Sequence, residues 1–141
     1  MSVEENKALI RRMVEEVWNG GNIPLITELV AADYVYLNPR GDELRGPKGF
    51  ERRMTVMRAA FPDLHMEIED AFGEGDKVAY RLRTSGTFLG KLRDIEPTGK
   101  SFVARASIFS RFADGKLVHE VEYVGEPTAF EQLGIVWAPR K

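Results

Sequence analysis

Apolar residues recur at helical spacing in the first part of the chain and at alternating spacing in the second, which predicts helices followed by strands. Ile10, Met13, Val14, Val17 and Trp18 form a 3.6-residue stripe behind Ser2 and Glu5, a pair with capping-box spacing, and Asn19-Gly20-Gly21 stops the run. Asn22 and Pro24 open a second, shorter helix whose stripe is Leu25, Ile26, Leu29 and Val30 and which ends near Ala31-Ala32. Residues 34–37 read as a short strand, closed by the turn sequence Asn38-Pro39-Arg40-Gly41. A third helix starts at Gly46-Pro47, shows Phe50, Met54, Met57 and Phe61 on one face, and stops at Pro62.

From Leu64 the period falls to two. Leu64, Met66, Ile68 and Phe72 alternate with His65, Glu67, Glu69 and Ala71, and Asp70 alone interrupts the apolar face. Beyond the turn Gly73-Glu74-Gly75-Asp76, Val78, Tyr80 and Leu82 alternate with Arg81 and Arg83. A third strand covers about residues 102–112, and Ala113-Asp114-Gly115-Lys116 turns it into a fourth over 117–124. Three N-terminal helices and a four-stranded meander predict an α+β fold, with the helices packed on one side of a curved antiparallel sheet. The length of 141 residues suffices for one core, so residues 1–141 are read as a single domain.

Charge narrows the range of partners. Twenty Lys and Arg stand against 22 Asp and Glu, a formal charge of −2, which supplies no basic field for nucleic acid and no polybasic membrane anchor. The chain has no cysteine, so disulfides, thiolate catalysis and Cys-ligated zinc are excluded. The N-terminal run resembles no signal segment and no stretch is long enough to span a bilayer, so the expected location is the cytoplasm. Two distant histidines give no metal spacing, and no metal is expected. Thr98-Gly99-Lys100-Ser101 lacks the first glycine of a phosphate loop, Pro97 interrupts it, and a strand follows.

Residues 6–19, Ala32-Asp33-Tyr34-Val35, Gly46-Pro47 with Gly49-Phe50, and Phe61-Pro62-Asp63-Leu64 together resemble the SnoaL-like polyketide cyclases of the NTF2-like superfamily. Glu74-Gly75-Asp76-Lys77-Val78-Ala79, Pro97-Thr98-Gly99-Lys100, Asp114-Gly115-Lys116-Leu117-Val118 and Gln132-Leu133-Gly134 extend the resemblance over nearly the whole chain. It implies a cone-shaped α+β barrel with an apolar pocket between sheet and helices, a homodimer formed through the sheet, and no cofactor. The implied ligand is a small apolar or polyketide-like molecule. The implied chemistry is ring closure, isomerisation or a related proton transfer beside an oxygen function, which needs a group of tuned pKa and donors where negative charge develops.

This chain departs from the family pattern at three commonly polar positions, where Val14, Leu37 and Gly125 stand. Glu126, beside Gly125, is the carboxylate nearest the position of the cyclases' acid/base aspartate. His119 and Tyr123 share a face of the last strand with Val121, and Glu120, Glu122 and Val124 share the other. If the first set faces the pocket, His119 is an acid/base candidate and Tyr123 a ligand contact; otherwise His119 lies on the sheet surface or in a dimer interface. Asn38 and Tyr36 are hydrogen-bonding candidates. Tyr36-Leu37-Asn38 has the form of the water-holding pair of an epoxide-hydrolase relative, but Arg81-Leu82-Arg83 stands where an Arg-x-Asp partner is needed. Trp18, Phe50 and Met54 line a cavity on one reading and form plain core on the other. Arg81 and Arg83 have two readings as well, an anion clamp or partners for Glu67 and Glu69. Two function classes remain open: a cofactor-free proton-transfer enzyme, and a binding or assembly module without the acid/base groups.

Overall fold

The computed structural model describes residues 1–135. The first helix, α1 (Val3–Arg12), opens with the expected capping box: the Ser2 hydroxyl accepts from the Glu5 amide at 3.1 Å and the Glu5 carboxylate accepts from the Ser2 amide at 3.1 Å. It continues without a break into a π-helical segment, Met13–Trp18, where the Asn19 amide reaches back to the Val14 carbonyl. Met13, Val14, Val17 and Trp18 are all buried there.

The second helical stretch is shorter than its apolar stripe suggests. A 3-10 turn (Ile23–Leu25) leads into α2 (Ile26–Leu29), and Val30 is already extended. Strand β1 therefore covers Val30–Leu37, twice the expected length, because it finds a parallel partner far down the chain. A short strand, β2 (Glu43–Arg45), pairs antiparallel with β1 and leads into α3 (Gly46–Ala60).

Four long strands follow as expected: β3 (His65–Glu74), β4 (Lys77–Thr87), β5 (Ser101–Ala113) and β6 (Lys116–Val124), with a last helical turn, α4, at Ala129–Gln132. The sheet has six strands rather than four, in the order β2-β1-β6-β5-β4-β3, and is open, with β2 and β3 at its edges. β1 runs parallel to β6, so the sheet is not wholly antiparallel. Sequence periodicity reveals which residues share a face but not which distant strand lies alongside.

Two bulges decide which residues face the core. In β3 the register shifts between Ile68 and Asp70, leaving Glu69 as the extra residue. Asp70 thereby reaches Arg81 and accepts from its Nε and Nη2 at 2.8 and 2.9 Å, while Phe72, expected on the apolar face, is 68% exposed. Glu69 accepts instead from Arg105 at 3.1 Å. The second bulge lies in β6, where Phe112 pairs with Leu117 but Arg111 pairs with His119, so Val118 is the extra residue and both Leu117 and Val118 are buried. From that point on, the inward face of β6 is carried by the even-numbered residues.

Candidate functional site

Three tyrosines, two glutamates and one arginine converge where the helices cover β1, β4 and β6. The β1 alternation points Tyr34 and Tyr36 into the core, the β4 alternation does the same for Tyr80, and the bulge at Val118 turns Glu120 toward all of them. Glu120 is 2% exposed. Its Oε1 accepts from the Tyr34 hydroxyl at 2.7 Å and its Oε2 from the Tyr80 hydroxyl at 3.0 Å. Two residues on, Glu122 accepts a short hydrogen bond from the Tyr36 hydroxyl.

The remaining wall comes from the helices. Phe50 and Met54 of α3 are buried, and Phe50 meets Trp18 at 5.7 Å and Tyr34 at 5.8 Å between ring centroids. Arg53 lies on the same stripe. Its guanidinium carbon sits 3.6 Å from the Tyr36 ring centroid, 5.0 Å from that of Trp18 and 5.4 Å from that of Phe50. The residue as a whole is partly exposed, yet its Nε and Nη1 are buried and have no hydrogen-bond partner.

These placements shift the protonation equilibria. Burial pushes the Glu120 carboxyl pKa up; the Arg53 charge and the two tyrosine hydroxyls pull against burial, and the Glu122 charge adds to it. The net direction is upward. Burial also raises the hydroxyl pKa values of Tyr34, Tyr36 and Tyr80, so all three stay protonated donors. For Arg53, burial favours the neutral form, but Tyr34, Tyr36, Glu120 and Glu122 outweigh it and hold the guanidinium charged. A carboxyl of raised pKa, held by two donors beside a fixed cation, combines the groups that general acid/base chemistry uses.

The residues singled out from sequence divide sharply. Trp18, Tyr36, Phe50 and Met54 are brought together around the cluster. His119 and Tyr123 are not: the hydrogen bonds of Glu120 and Glu122 turn the other face of β6 inward, so of the two readings left open the sheet-surface one holds, and Tyr123 is 59% exposed on the outer face, edge-on to Phe109 at 5.9 Å. Glu126 is exposed beyond β6, and the negative charge of Glu131 raises its pKa. Asn38 Oδ1 accepts from the amides of Arg40 and Asp42, both at 2.9 Å, and so organises the β1–β2 turn. The Gly125 amide donates to the Arg105 carbonyl at 2.8 Å. Arg81, occupied by Asp70, is no anion clamp.

Sequence reasoning missed Glu120 and Arg53. Arg53 had a signal: with Phe50, Met54 and Met57 it completes an i, i+3, i+4, i+7 face on α3. Glu120 had none without the bulge. A cleft of about 430 Å³ between α1 and β3 is lined by Lys7, Glu15, Asn19, His65 and Met66 among others and includes no member of the cluster. The polar cluster lies under the helices, packed against the aromatic rings and Arg53.

Helices laid over one face of a curved mixed sheet, with a polar cluster buried between them, define an α+β fold of the NTF2-like, ketosteroid-isomerase-like class. The chain belongs to the SnoaL-like polyketide cyclase family, whose model matches residues 8–133. It is 31% identical to aklanonic acid methyl ester cyclase DnrD of Streptomyces peucetius over 92% of this chain and 90% of that one. To AcmA of Streptomyces galilaeus, also an aklanonic acid methyl ester cyclase, it is 28% identical over 96% of this chain and 94% of that one. Among solved structures, AclR from Streptomyces galilaeus, described as a candidate hydroxylase, superimposes with a TM-score of 0.80 at 28% identity, covering 94% of this chain and 98% of its own. No helix among the described residues is long and apolar enough to cross a membrane.

Proposed function

We propose that the chain is a cofactor-free, polyketide cyclase-type enzyme in which Glu120 is the acid/base. The observation that carries this reading is a buried carboxyl of raised pKa held between two tyrosine hydroxyls. Glu120 takes the role expected of His119 or Glu126, neither of which reaches the cluster. The ligand is a small, flat, oxygenated polyketide bounded by Trp18, Tyr36, Phe50 and Met54. It enters as the helical cover moves, because the cluster is closed in the state described.

In an intramolecular aldol closure, the Glu120 carboxylate accepts a proton from the carbon beside a carbonyl. The electron pair of that C–H bond passes to the carbonyl oxygen as an enolate. As Glu120 becomes protonated, Tyr34 or Tyr80 is released to donate to the developing oxyanion. The enolate carbon then attacks a second carbonyl carbon, forming the ring bond, and the resulting alkoxide recovers the proton from Glu120. Every proton and electron pair is accounted for within substrate and carboxyl, so the closure as written needs no oxidant or reductant.

The outer face of the sheet supports a homodimer. Phe109 is 51% and Tyr123 59% exposed there, with Val103 on the same face of β5. The alternative, a binding module without turnover, is favoured by one observation: both Glu120 oxygens are satisfied by tyrosines without substrate. Incubation with aklanonic acid methyl ester, followed by chromatography of the product, separates the two. Ring closure by the wild type that falls about 10²- to 10⁴-fold in Glu120→Gln supports the enzyme. Binding without conversion by either protein supports the module.

A further inference from the structure

The guanidinium of Arg53 is out of place for a purely structural group. It is charged, its Nε and Nη1 are buried, and neither nitrogen has a hydrogen-bond partner. Leaving a buried donor unpaired is costly, more so for a charged group, and proteins rarely tolerate it without return. Stacking over Tyr36, Trp18 and Phe50 holds the guanidinium plane but satisfies none of its N–H groups.

The surroundings indicate what would pair them. Each of these N–H groups is a charged donor lying in the guanidinium plane and suited to an anionic acceptor oxygen. The rings of Trp18, Tyr36 and Phe50 surround the guanidinium, which favours a flat, conjugated molecule as the bearer of the oxygen. The glutamates of the cluster accept from tyrosines and make no hydrogen bond to Nε or Nη1.

We infer that Arg53 is a specificity-determining residue, which selects conjugated ligands carrying an anionic oxygen, a carboxylate or an enolate-type oxygen, and pairs that oxygen with one of its unpaired N–H groups. This rests on the reading of the cluster as the ligand site, but not on Glu120 being the acid/base. For a substrate, the contact orients the molecule across Tyr36 and presents its reacting carbon to Glu120. Lysine offers one compact charge in place of a planar, delocalised cation that stacks on aromatic rings, so it is an incomplete substitute.

Calorimetric titration with 2-naphthoate and its neutral isostere 2-naphthamide tests this directly, on the wild type and on Arg53→Lys, Arg53→Met and Glu120→Gln, each first checked for an unchanged circular dichroism spectrum. The wild type should bind naphthoate about 10- to 100-fold more tightly than naphthamide. Arg53→Met should lose that preference, Arg53→Lys should keep part of it, and Glu120→Gln, which removes a negative charge acting on Arg53, should keep or strengthen it. A nitrophenol titrated across its own ionisation separates the two oxygen types: tighter binding of the phenolate form marks an enolate-type oxygen, and naphthoate preference alone marks a carboxylate. Equal affinity of the wild type for naphthoate and naphthamide, no binding of either, or an undiminished preference in Arg53→Met overturns the inference. Loss of ring closure in Glu120→Gln with no anion preference would leave Glu120 as the acid/base and remove the role of Arg53. The opposite pair of results would do the reverse.

Discussion

Ser110 of β5 and Glu120 of β6 are direct cross-strand partners, and they are so only because Val118 is bulged out of the ladder. A regular two-residue hairpin through Asp114-Gly115 would pair Phe112 with Leu117, Arg111 with Val118 and Ser110 with His119. One extra residue replaces the histidine with the glutamate on the core face, and with it the chemistry of the interior. Deleting Val118 should restore the regular register and drive Glu120 outward. The expected outcome is a loss of several kcal/mol in urea unfolding, or failure to fold, since a charge-bearing network is broken and His119 is forced inside. A deletion variant as stable as the wild type would contradict the register described here.

The Ser110 hydroxyl is itself buried without a partner. Ser110→Ala should therefore leave stability unchanged or raise it by about 1 kcal/mol, read from the denaturant midpoint at constant m-value. A loss of more than about 1 kcal/mol would mean that the hydroxyl is bonded in solution.

The raised Glu120 pKa has a definite sign in the pH dependence of stability. The folded protein holds this proton more tightly than the unfolded chain does, so stability falls as pH rises from the ordinary carboxylate value, about 4.3, through the raised folded value, and levels off above it. Glu120→Gln removes that decline and should melt at or above the wild-type temperature at pH 8. Asp63 and Asp70 act in the opposite sense: hydrogen bonds from Thr87 and from Arg81 lower their pKa values, and their contribution is lost as pH falls below the ordinary range. Both are surface groups, so that acid-side effect is small.

Tyr34 and Tyr80 favour the ionised form of Glu120 by donating to it. Removing one hydroxyl, in Tyr34→Phe or Tyr80→Phe, should move the rising limb of the kcat/KM profile about 1–2 pH units higher, the equivalent of one hydrogen bond to a charged group. A profile that stays in place in both variants would separate Glu120 from the titration that controls the rate.

On the outer face, Phe109 and Tyr123 form an edge-on aromatic pair that a second subunit would cover. Sedimentation should show a wild-type dimer, and Tyr123→Asp should shift it toward monomer. A wild-type monomer at high concentration would rule out the sheet interface.

Much of the fold was legible because its signals are local. Ser2 and Glu5 mark the start of α1, Phe50 and Met54 mark the inner face of α3, and Asp114-Gly115 marks the last hairpin. The inward set on β5, from Phe102 to Phe112, follows from alternation alone. The rest depended on events that leave no periodic trace. Bulges at Glu69 and Val118 each invert a face halfway along a strand, which is why Phe72 is exposed and His119 lies outside. The parallel pairing of β1 with β6 joins Tyr34 to Glu120 across 86 positions, a contact no window of sequence contains. Arg53 was visible on its stripe, but a charged residue beside Phe50 and Met54 reads as the polar edge of a helix until its unpaired nitrogens are seen buried.

The most direct test of the central claim is exchange of the acidic substrate carbon-bound proton in deuterated buffer, followed by NMR with wild type, Glu120→Gln, His119→Gln and Glu126→Gln side by side. Enzyme-catalysed exchange should vanish in Glu120→Gln and persist in the other two. Exchange that survives in Glu120→Gln, and disappears in His119→Gln or Glu126→Gln, would contradict the assignment of Glu120 as the acid/base.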